Sequence, residues 1–252
     1  MNIKLNKNER IDDLEYKNLK IIQNSENFCF GMDSVLLSDF SKDIKNNSLV
    51  LDLGTGTGII SILLSAKANT KKIYGVEIQK DVADMAKRSV ILNNLEEKIE
   101  IINEDIKNIS KIFNRNSIDV IVTNPPYKEI NRGIINNNEN KIISRHEVKA
   151  NLEDFIKVSS ELLKDYGELY MVNRPERIVD IIEYMRKYKI EPKNIKFVYP
   201  KINKEPNLIL VKAVKNAKKF IKIEKPLIIY DNNNNYTEEI YKIYNKKVEG
   251  EN

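Results

Sequence analysis

From Ser48 onward the chain alternates short apolar runs with amphipathic stretches, and this alternation limits the possible folds more than any other feature. Leu49-Val50-Leu51-Asp52-Leu53 has the length and unbroken hydrophobicity of a buried strand. Ile59 to Lys67 predicts a helix and Lys72 to Ile78 a second strand. Asp81 reads as the cap of a helix with Val82, Met85, Ala86 and Ser89 on one face. Ile99 to Ile102 and Ile118 to Thr123 predict the third and fourth strands. A polar loop covers roughly 128–150, followed by a helix over 152–163, a strand from Glu168 to Val172 and a helix over 176–187. The last third predicts strands near 195–199, 207–214 and 220–223, another from Pro226 to Tyr230, and a helix over 237–246. Strands alternating with helices imply a mostly parallel sheet covered on both faces. Ligands of such sheets sit at the carboxyl ends of the strands. That rule puts the glycine loop after Leu53, Glu77, Asp105 and Asn124 along one edge.

The 252 residues suit one α/β domain, and 41% hydrophobic residues suffice for its core. Residues 1–47 form a mixed preamble with strands predicted at Leu19 to Ile22 and Phe28 to Phe30, and a helix from Met32 to Phe40. No run approaches the roughly 20 apolar residues of a membrane helix. Met1-Asn2-Ile3-Lys4 has no apolar segment behind it, so no secretory signal is expected. Cys29 is the one cysteine, which excludes an intrachain disulfide and a cysteine-built metal site. A cytoplasmic monomer without metal or membrane is expected. The net charge of +5 is unevenly placed: Lys201 to Lys225 holds eight lysines and only two acids, Glu205 and Glu224. Such a patch can hold phosphates, or it is a solvated surface. The Asn runs at 136–138 and 232–235 read as compositional bias in loops.

The first loop is Asp52-Leu53-Gly54-Thr55-Gly56-Thr57-Gly58. Glycines there let backbone approach a ligand and turn tightly into a helix. The spacing is Gly-x-Gly-x-Gly, and the Gly-Lys-Ser/Thr ending of a P-loop is missing. Alone, the loop could hold a dinucleotide or a phosphate. Glu77 ends the second strand 19 residues after Gly58, where a carboxylate can accept from both hydroxyls of a ribose or simply face solvent. Asp105 follows the third strand, placed to accept from an adenine amino group or to cap a helix over 106–111.

Asn124-Pro125-Pro126-Tyr127 is the sharpest motif. A planar amino group is a poor nucleophile because its lone pair is delocalised. Two fixed acceptors on its hydrogens draw it towards a tetrahedral shape. The Asn124 side-chain oxygen and the Pro125 carbonyl can do this, because prolines fix backbone direction. Tyr127 offers a ring for stacking a planar substrate. Catalysis then becomes orientation, without a strong general base or a metal. The bland alternative is a proline turn after a strand.

The glycine loop, Glu77 and Asp105 together resemble motifs of the class I S-adenosylmethionine-dependent methyltransferases over roughly residues 48–215. The resemblance implies a Rossmann-like, seven-stranded, mostly parallel sheet with helices on both faces and a last strand running antiparallel in a hairpin. It implies S-adenosylmethionine as cofactor and S-adenosylhomocysteine as product. Cofactor-binding residues would be Met32, Asp52, Gly54, Gly56, Gly58, Glu77, Asp105 and Asn124, with Asn124, Pro125 and Tyr127 catalytic. Residues 1–47 would pack on the cofactor site, ahead of a methyltransferase domain over 48–252 with a C-terminal strand hairpin and helix.

The Asn-Pro-Pro-Tyr motif is similar to that of enzymes acting on adenine N6, cytosine N4, guanine N2 or the glutamine amide. Further segments narrow the set: Ile11-Asp12-Asp13-Leu14, Phe30-Gly31-Met32-Asp33-Ser34-Val35-Leu36-Leu37-Ser38, Ser144-Arg145-His146-Glu147 and Asn173-Arg174-Pro175-Glu176-Arg177. With Asn124 to Tyr127 they resemble bacterial tRNA adenine-N6 methyltransferases that act on valine tRNA. That resemblance implies an RNA partner, and Met32 and Asp33 near the sulfonium. Ser144 stands where the family has alanine. His146, the one histidine, is read as structural or substrate-ordering. Arg145 could pair with a phosphate or a protein acid. Arg174 and Arg177 could bind RNA backbone or solvate a helix. The rival readings are a glutamine-amide methyltransferase, a guanine-N2 RNA enzyme, a DNA adenine enzyme and a noncatalytic RNA-binding module.

Overall fold

The computed structural model describes residues 3–26, 31–127 and 150–246. The expectations for Phe28 to Phe30, Cys29 and Ser144 to Glu147 lie outside the described residues. Two short strands, β1 (Glu9–Asp13) and β2 (Lys20–Asn24), form an antiparallel hairpin ahead of helix α1 (Met32–Phe40). The main alternation follows: β3 (Ser48–Leu53), α2 (Ile59–Lys67), β4 (Thr70–Glu77), α3 (Lys80–Leu92), β5 (Ile99–Asn103), a 3-10 helix (Ile106–Lys111) and β6 (Ile118–Thr123). Then come α4 (Leu152–Leu162), β7 (Leu163–Asn173), a 3-10 turn (Pro175–Arg177), α5 (Ile178–Lys187), β8 (Ile190–Tyr199) and β9 (Leu208–Lys215). The two-residue strands β10 (Lys222–Ile223) and β11 (Leu227–Ile228) and helix α6 (Glu238–Ile243) follow.

Seven principal strands lie in the order β5-β4-β3-β6-β7-β9-β8. All pairings are parallel except those of β9, which runs against both β7 and β8. The expected seven-stranded sheet is therefore present, and β10 and β11 extend it on the outer side of β8 to nine strands. Period-two alternation divides each central strand between two cores. Val50, Ile73, Val120, Val122 and Val172 face the layer of α1, α2, α3 and α6. Leu51, Leu53, Val76, Ile121 and Met171 face the layer of α4 and α5. Burial on both faces explains the unbroken apolar run of β3.

The N-terminal hairpin is anchored on α3. The Ile22 N–H donates to Ser89 Oγ at 2.9 Å, and Arg88 forks onto both oxygens of Glu9 at 2.7 Å each. On the same side of the sheet, buried Lys67 of α2 reaches Asp39 of α1 at 3.1 Å and the Ile243 carbonyl of α6 at 2.7 Å. Three local readings are corrected. Gln79, not Asp81, is the N-cap of α3, and Asp81 lies within its first turn. The helix over 176–187 starts with a 3-10 turn before α5. Strand β1 was not expected at all, because Glu9-Arg10-Ile11-Asp12-Asp13 buries no face: Ile11 is 41% exposed.

The Arg88 guanidinium holds the Glu9 carboxyl down to about 2, against an ordinary 4.5. A lowered carboxylate stabilises the fold fully above pH 4.5, and that contribution fades as pH falls towards 2. Glu9→Gln should cost about 1.5–3 kcal/mol at neutral pH, the range for hydrogen bonds to a charged group. Urea unfolding of both proteins from neutral pH to pH 3 checks this: the gap should narrow on acidification.

Candidate active site

The four parallel strands β3, β4, β5 and β6 all end at one edge of the sheet. There Leu53 leads into the glycine loop, and Gly58, with φ of 90°, starts α2. The loop lies flat on β4: the Gly54 and Thr55 N–H groups both donate to the Val76 carbonyl at 2.9 Å. Gly75 permits this, since a β-carbon there would sit 2.8 Å from Ile101 and 2.9 Å from Thr55 Oγ1. At Gly56, whose φ is 57°, a β-carbon would meet nothing within 4 Å, so the loop faces open space at this point.

Two buried carboxylates flank the loop. Asp52 Oδ2 accepts from Thr55 Oγ1 at 2.6 Å and Ser61 Oγ at 2.8 Å, while its buried Oδ1 has no partner among the described residues. Burial pushes the Asp52 carboxyl up to about 6, against the two hydroxyls, with Glu77 adding to the rise. Glu77 accepts from the Gly56 N–H at 3.1 Å through Oε2 and the Gln79 N–H at 2.9 Å through Oε1. Its carboxyl is also raised by burial, with these N–H groups opposing. Asn103 donates to the carbonyls of Glu77 and Ile78 at 2.8 and 3.0 Å, locking the ends of β4 and β5 together. Asp105 caps the 3-10 helix by accepting from the Lys107 N–H at 2.9 Å.

The β6 end is fixed to the β3 end by Thr123 Oγ1, which donates to the Leu53 carbonyl at 2.9 Å. Asn124 and Tyr127 are half-buried and Pro125 is buried. Their partner comes from α1: Asp33, only 8% exposed, accepts at Oδ2 from Asn124 Nδ2 at 3.1 Å and from the Tyr127 hydroxyl at 2.7 Å. Burial, and next the Asp33 carboxylate, push the Tyr127 hydroxyl above its usual range, so it remains a proton donor. The Arg174 guanidinium lies over the Tyr127 ring, 5.0 Å from its centroid, and donates to the Asn207 carbonyl at 2.9 Å.

Residues 31–197 match the family model of the methyltransferase small domain. The chain belongs to this methyltransferase family. It is 28% identical over 204 residues to a protein of Porphyromonas gingivalis named tRNA1(Val) (adenine(37)-N6)-methyltransferase, covering 79% of each chain. A protein of the same name from Haemophilus influenzae is 27% identical over 224 residues, covering 88% of this chain and 92% of that one. Among solved structures, a predicted O-methyltransferase of Agrobacterium tumefaciens superposes with a TM-score of 0.69 at 20% identity, covering 85% of this chain and 96% of that one. The methyltransferase thus has the Rossmann-like fold that its motifs imply.

Two observations fit the methyl donor implied by those motifs. Gly56 presents bare backbone to open space that a side chain would occupy. The buried Asp52 Oδ1 still needs a donor, and the raised carboxyls of Asp52 and Glu77 suit a ligand carrying positive charge. Met32 starts α1 and packs half-buried against the first core, as does Tyr127. Asp33's grip on Asn124 and the Arg174–Tyr127 stack were missed from sequence. The one local hint was Gly31-Met32-Asp33 at a helix start, with Gly31 as N-cap. Among the described residues no group of three or more acids, histidines and cysteines could hold a metal ion, and no helix is long and apolar enough to cross a membrane.

A raised carboxyl destabilises the fold at pH values above its folded pKa and is neutral below its unfolded one. For Asp52 that window runs from an ordinary 3.8 to about 6. Asp52→Asn should therefore raise the thermal midpoint of the ligand-free methyltransferase at pH 7, and lose this advantage near pH 4. Scanning calorimetry of both proteins across that range measures it.

Proposed function

We propose that this enzyme methylates the exocyclic N6 of an adenine in tRNA, using S-adenosylmethionine and leaving S-adenosylhomocysteine. The observation that carries the reading is the meeting of Asn124-Pro125-Pro126-Tyr127 with the glycine loop, tied by the Thr123–Leu53 bond. The names of the relatives support adenine and tRNA over the other amino nitrogens. When bound, S-adenosylmethionine supplies an electrophilic methyl group on a sulfonium. The glycine loop, Met32, Asp52, Glu77 and Asp105 would hold that cofactor, with Glu77 taking the ribose hydroxyls and Asp105 the adenine amino group. The Asn124 side-chain oxygen and the Pro125 carbonyl accept the two hydrogens of the target amino group and draw its lone pair out of conjugation. Arg174 lies over one face of the Tyr127 ring, and we assign stacking of the flipped base to the part of the ring that remains exposed. We place the reaction in the cytoplasm.

The structure divides the basic segment. β9 begins at the site end of the sheet, where Ile209 pairs with Asn173, and finishes at the opposite end, where Lys215 pairs with Ile190. Lys215 is neither a solvated nor a phosphate-facing lysine: it donates to Asn116 Oδ1 at 2.7 Å and to the Ser160 and Leu163 carbonyls at 2.6 and 2.8 Å. Lys218 and Lys219 are exposed beyond it, away from the site. Lys201 and Lys204, in the turn between β8 and β9, lie at the site end, so we assign RNA phosphates to these two.

Asn124→Ala should leave cofactor binding intact and slow methyl transfer at least about 100-fold, as expected for one lost oriented acceptor. Calorimetric titration with S-adenosylhomocysteine and a tritium-transfer assay separate the two effects. The assay should offer unmodified tRNA, ribosomal RNA and a protein release factor in parallel. N6-methyladenosine in digested tRNA is expected, and label in protein alone would overturn the RNA assignment. Neutralising Lys201 and Lys204 should weaken tRNA binding and lower its salt slope by up to about 2, whereas Lys218 and Lys219 substitutions should leave the slope unchanged.

A further inference from the structure

We propose that Asp33 is a positioning residue that decides which end of the Asn124 side-chain amide faces the amino group to be methylated; the inference rests on the amino-nitrogen reading above. A side-chain amide has an acceptor at one end and two donors at the other, and half a turn about its last bond exchanges them. Only one orientation is productive. With oxygen towards the substrate, Asn124 accepts a hydrogen from the target amino group. With nitrogen there, donors face donors and the lone pair gains nothing.

Asp33 removes the choice. Its carboxylate offers acceptors only, and it is buried against Asn124 with Oδ2 3.1 Å from Nδ2. The reversed amide would press its oxygen against a carboxylate oxygen, replacing a hydrogen bond by repulsion between two acceptors. The Ser34 hydroxyl accepts from the same Nδ2 at 3.5 Å; a hydroxyl can donate as well as accept, so the choice of orientation falls to Asp33. Asp33 is itself fixed. The Tyr127 hydroxyl donates to its Oδ2 at 2.7 Å and the Ser34 N–H to its Oδ1 at 3.0 Å. Gly31 makes the pose possible, because a β-carbon at that position would sit 2.7 Å from Asp33 Oδ1. One carboxylate thereby holds both the acceptor and the aromatic ring of the motif, from a helix 91 residues earlier in the chain.

The test exchanges the two groups. Asn124→Asp alone sets two carboxylates in contact. Asp33→Asn alone leaves two amides that can pair either way round. In Asp33→Asn/Asn124→Asp, the amide nitrogen at position 33 takes the place of Oδ2, donating one hydrogen to the carboxylate at position 124 and the other to the Tyr127 hydroxyl, which then accepts; the second carboxylate oxygen faces the substrate. Each single variant should lose at least about 10-fold in kcat with cofactor affinity within about twofold, and the exchanged pair should recover at least about 10-fold over the weaker single variant. Gly31→Ala, which crowds Asp33 without touching Asn124, should reproduce a loss in kcat. A readout without substrate is the pair of side-chain amide protons of Asn124, assigned in nitrogen-15 spectra by their disappearance in Asn124→Asp. Their signals should shift and exchange faster with water in Asp33→Ala. An exchanged pair no better than the single variants, or unaltered amide signals in Asp33→Ala, overturns the role. Wild-type protein that methylates no tRNA would sink the proposed function instead, and the amide signals would still decide the role of Asp33.

Discussion

Parallel strands can be joined only by crossing back over the sheet, and this one constraint organises the molecule. Each crossover returns the chain to the same starting edge, so β3, β4, β5 and β6 all deliver their last residues to the other. Residues 20 or more positions apart in sequence, Leu53, Glu77, Asn103 and Thr123, are brought to one edge. The helices needed for the crossovers cover both faces, which is why the central strands are apolar throughout. A site assembled in this way rests on a core that cannot shift without breaking the register of several strands.

Burial at that edge sets the electrostatics. Asp33, Asp52 and Glu77 are all buried or nearly so, and each is held by hydroxyl or N–H donors rather than by a cationic side chain in the bonds described above. Asp52 and Glu77, whose carboxyls burial raises, cost stability in the empty protein and suit a cationic ligand. Cationic partners stand instead where the chain needs rigidity, as in Arg88 with Glu9 and Lys67 with Asp39, which tie the N-terminal hairpin and α1 to the main layer. The fold is thus braced by ion pairs at a distance from the site and left under electrostatic load within it.

Most of the architecture was legible from local pattern. Apolar runs of five or six residues located β3 and β6 because both of their faces are buried, and helical spacing located α2 to the residue. The glycine loop and the Asn-Pro-Pro-Tyr turn were legible because backbone constraints write themselves into sequence. Strand β1 was not, since it is the exposed partner of buried β2 and an exposed strand needs no alternation. Asp81 resembled a cap by type, whereas Gln79 takes that position by backbone geometry without a side-chain bond. Lys215 read as one basic residue among eight, because nothing local reveals that its amine is bound by two carbonyls and an amide. The contacts of Asp33 with Asn124, and of Arg174 with Tyr127, join distant segments and leave no periodic trace.

The central claim is that the strand ends form one site, with the methyl donor held by the glycine loop and the amino nitrogen that receives the methyl group held by Asn124 and Pro125. A crystal structure of the enzyme with S-adenosylhomocysteine and an adenosine-containing fragment tests it most directly. The account predicts the ribose on Glu77, the sulfur towards Asn124, and the amino nitrogen within about 3–3.5 Å of where the methyl carbon would stand. A ligand bound away from the glycine loop, or an amino nitrogen turned away from Asn124 and Pro125, would contradict it.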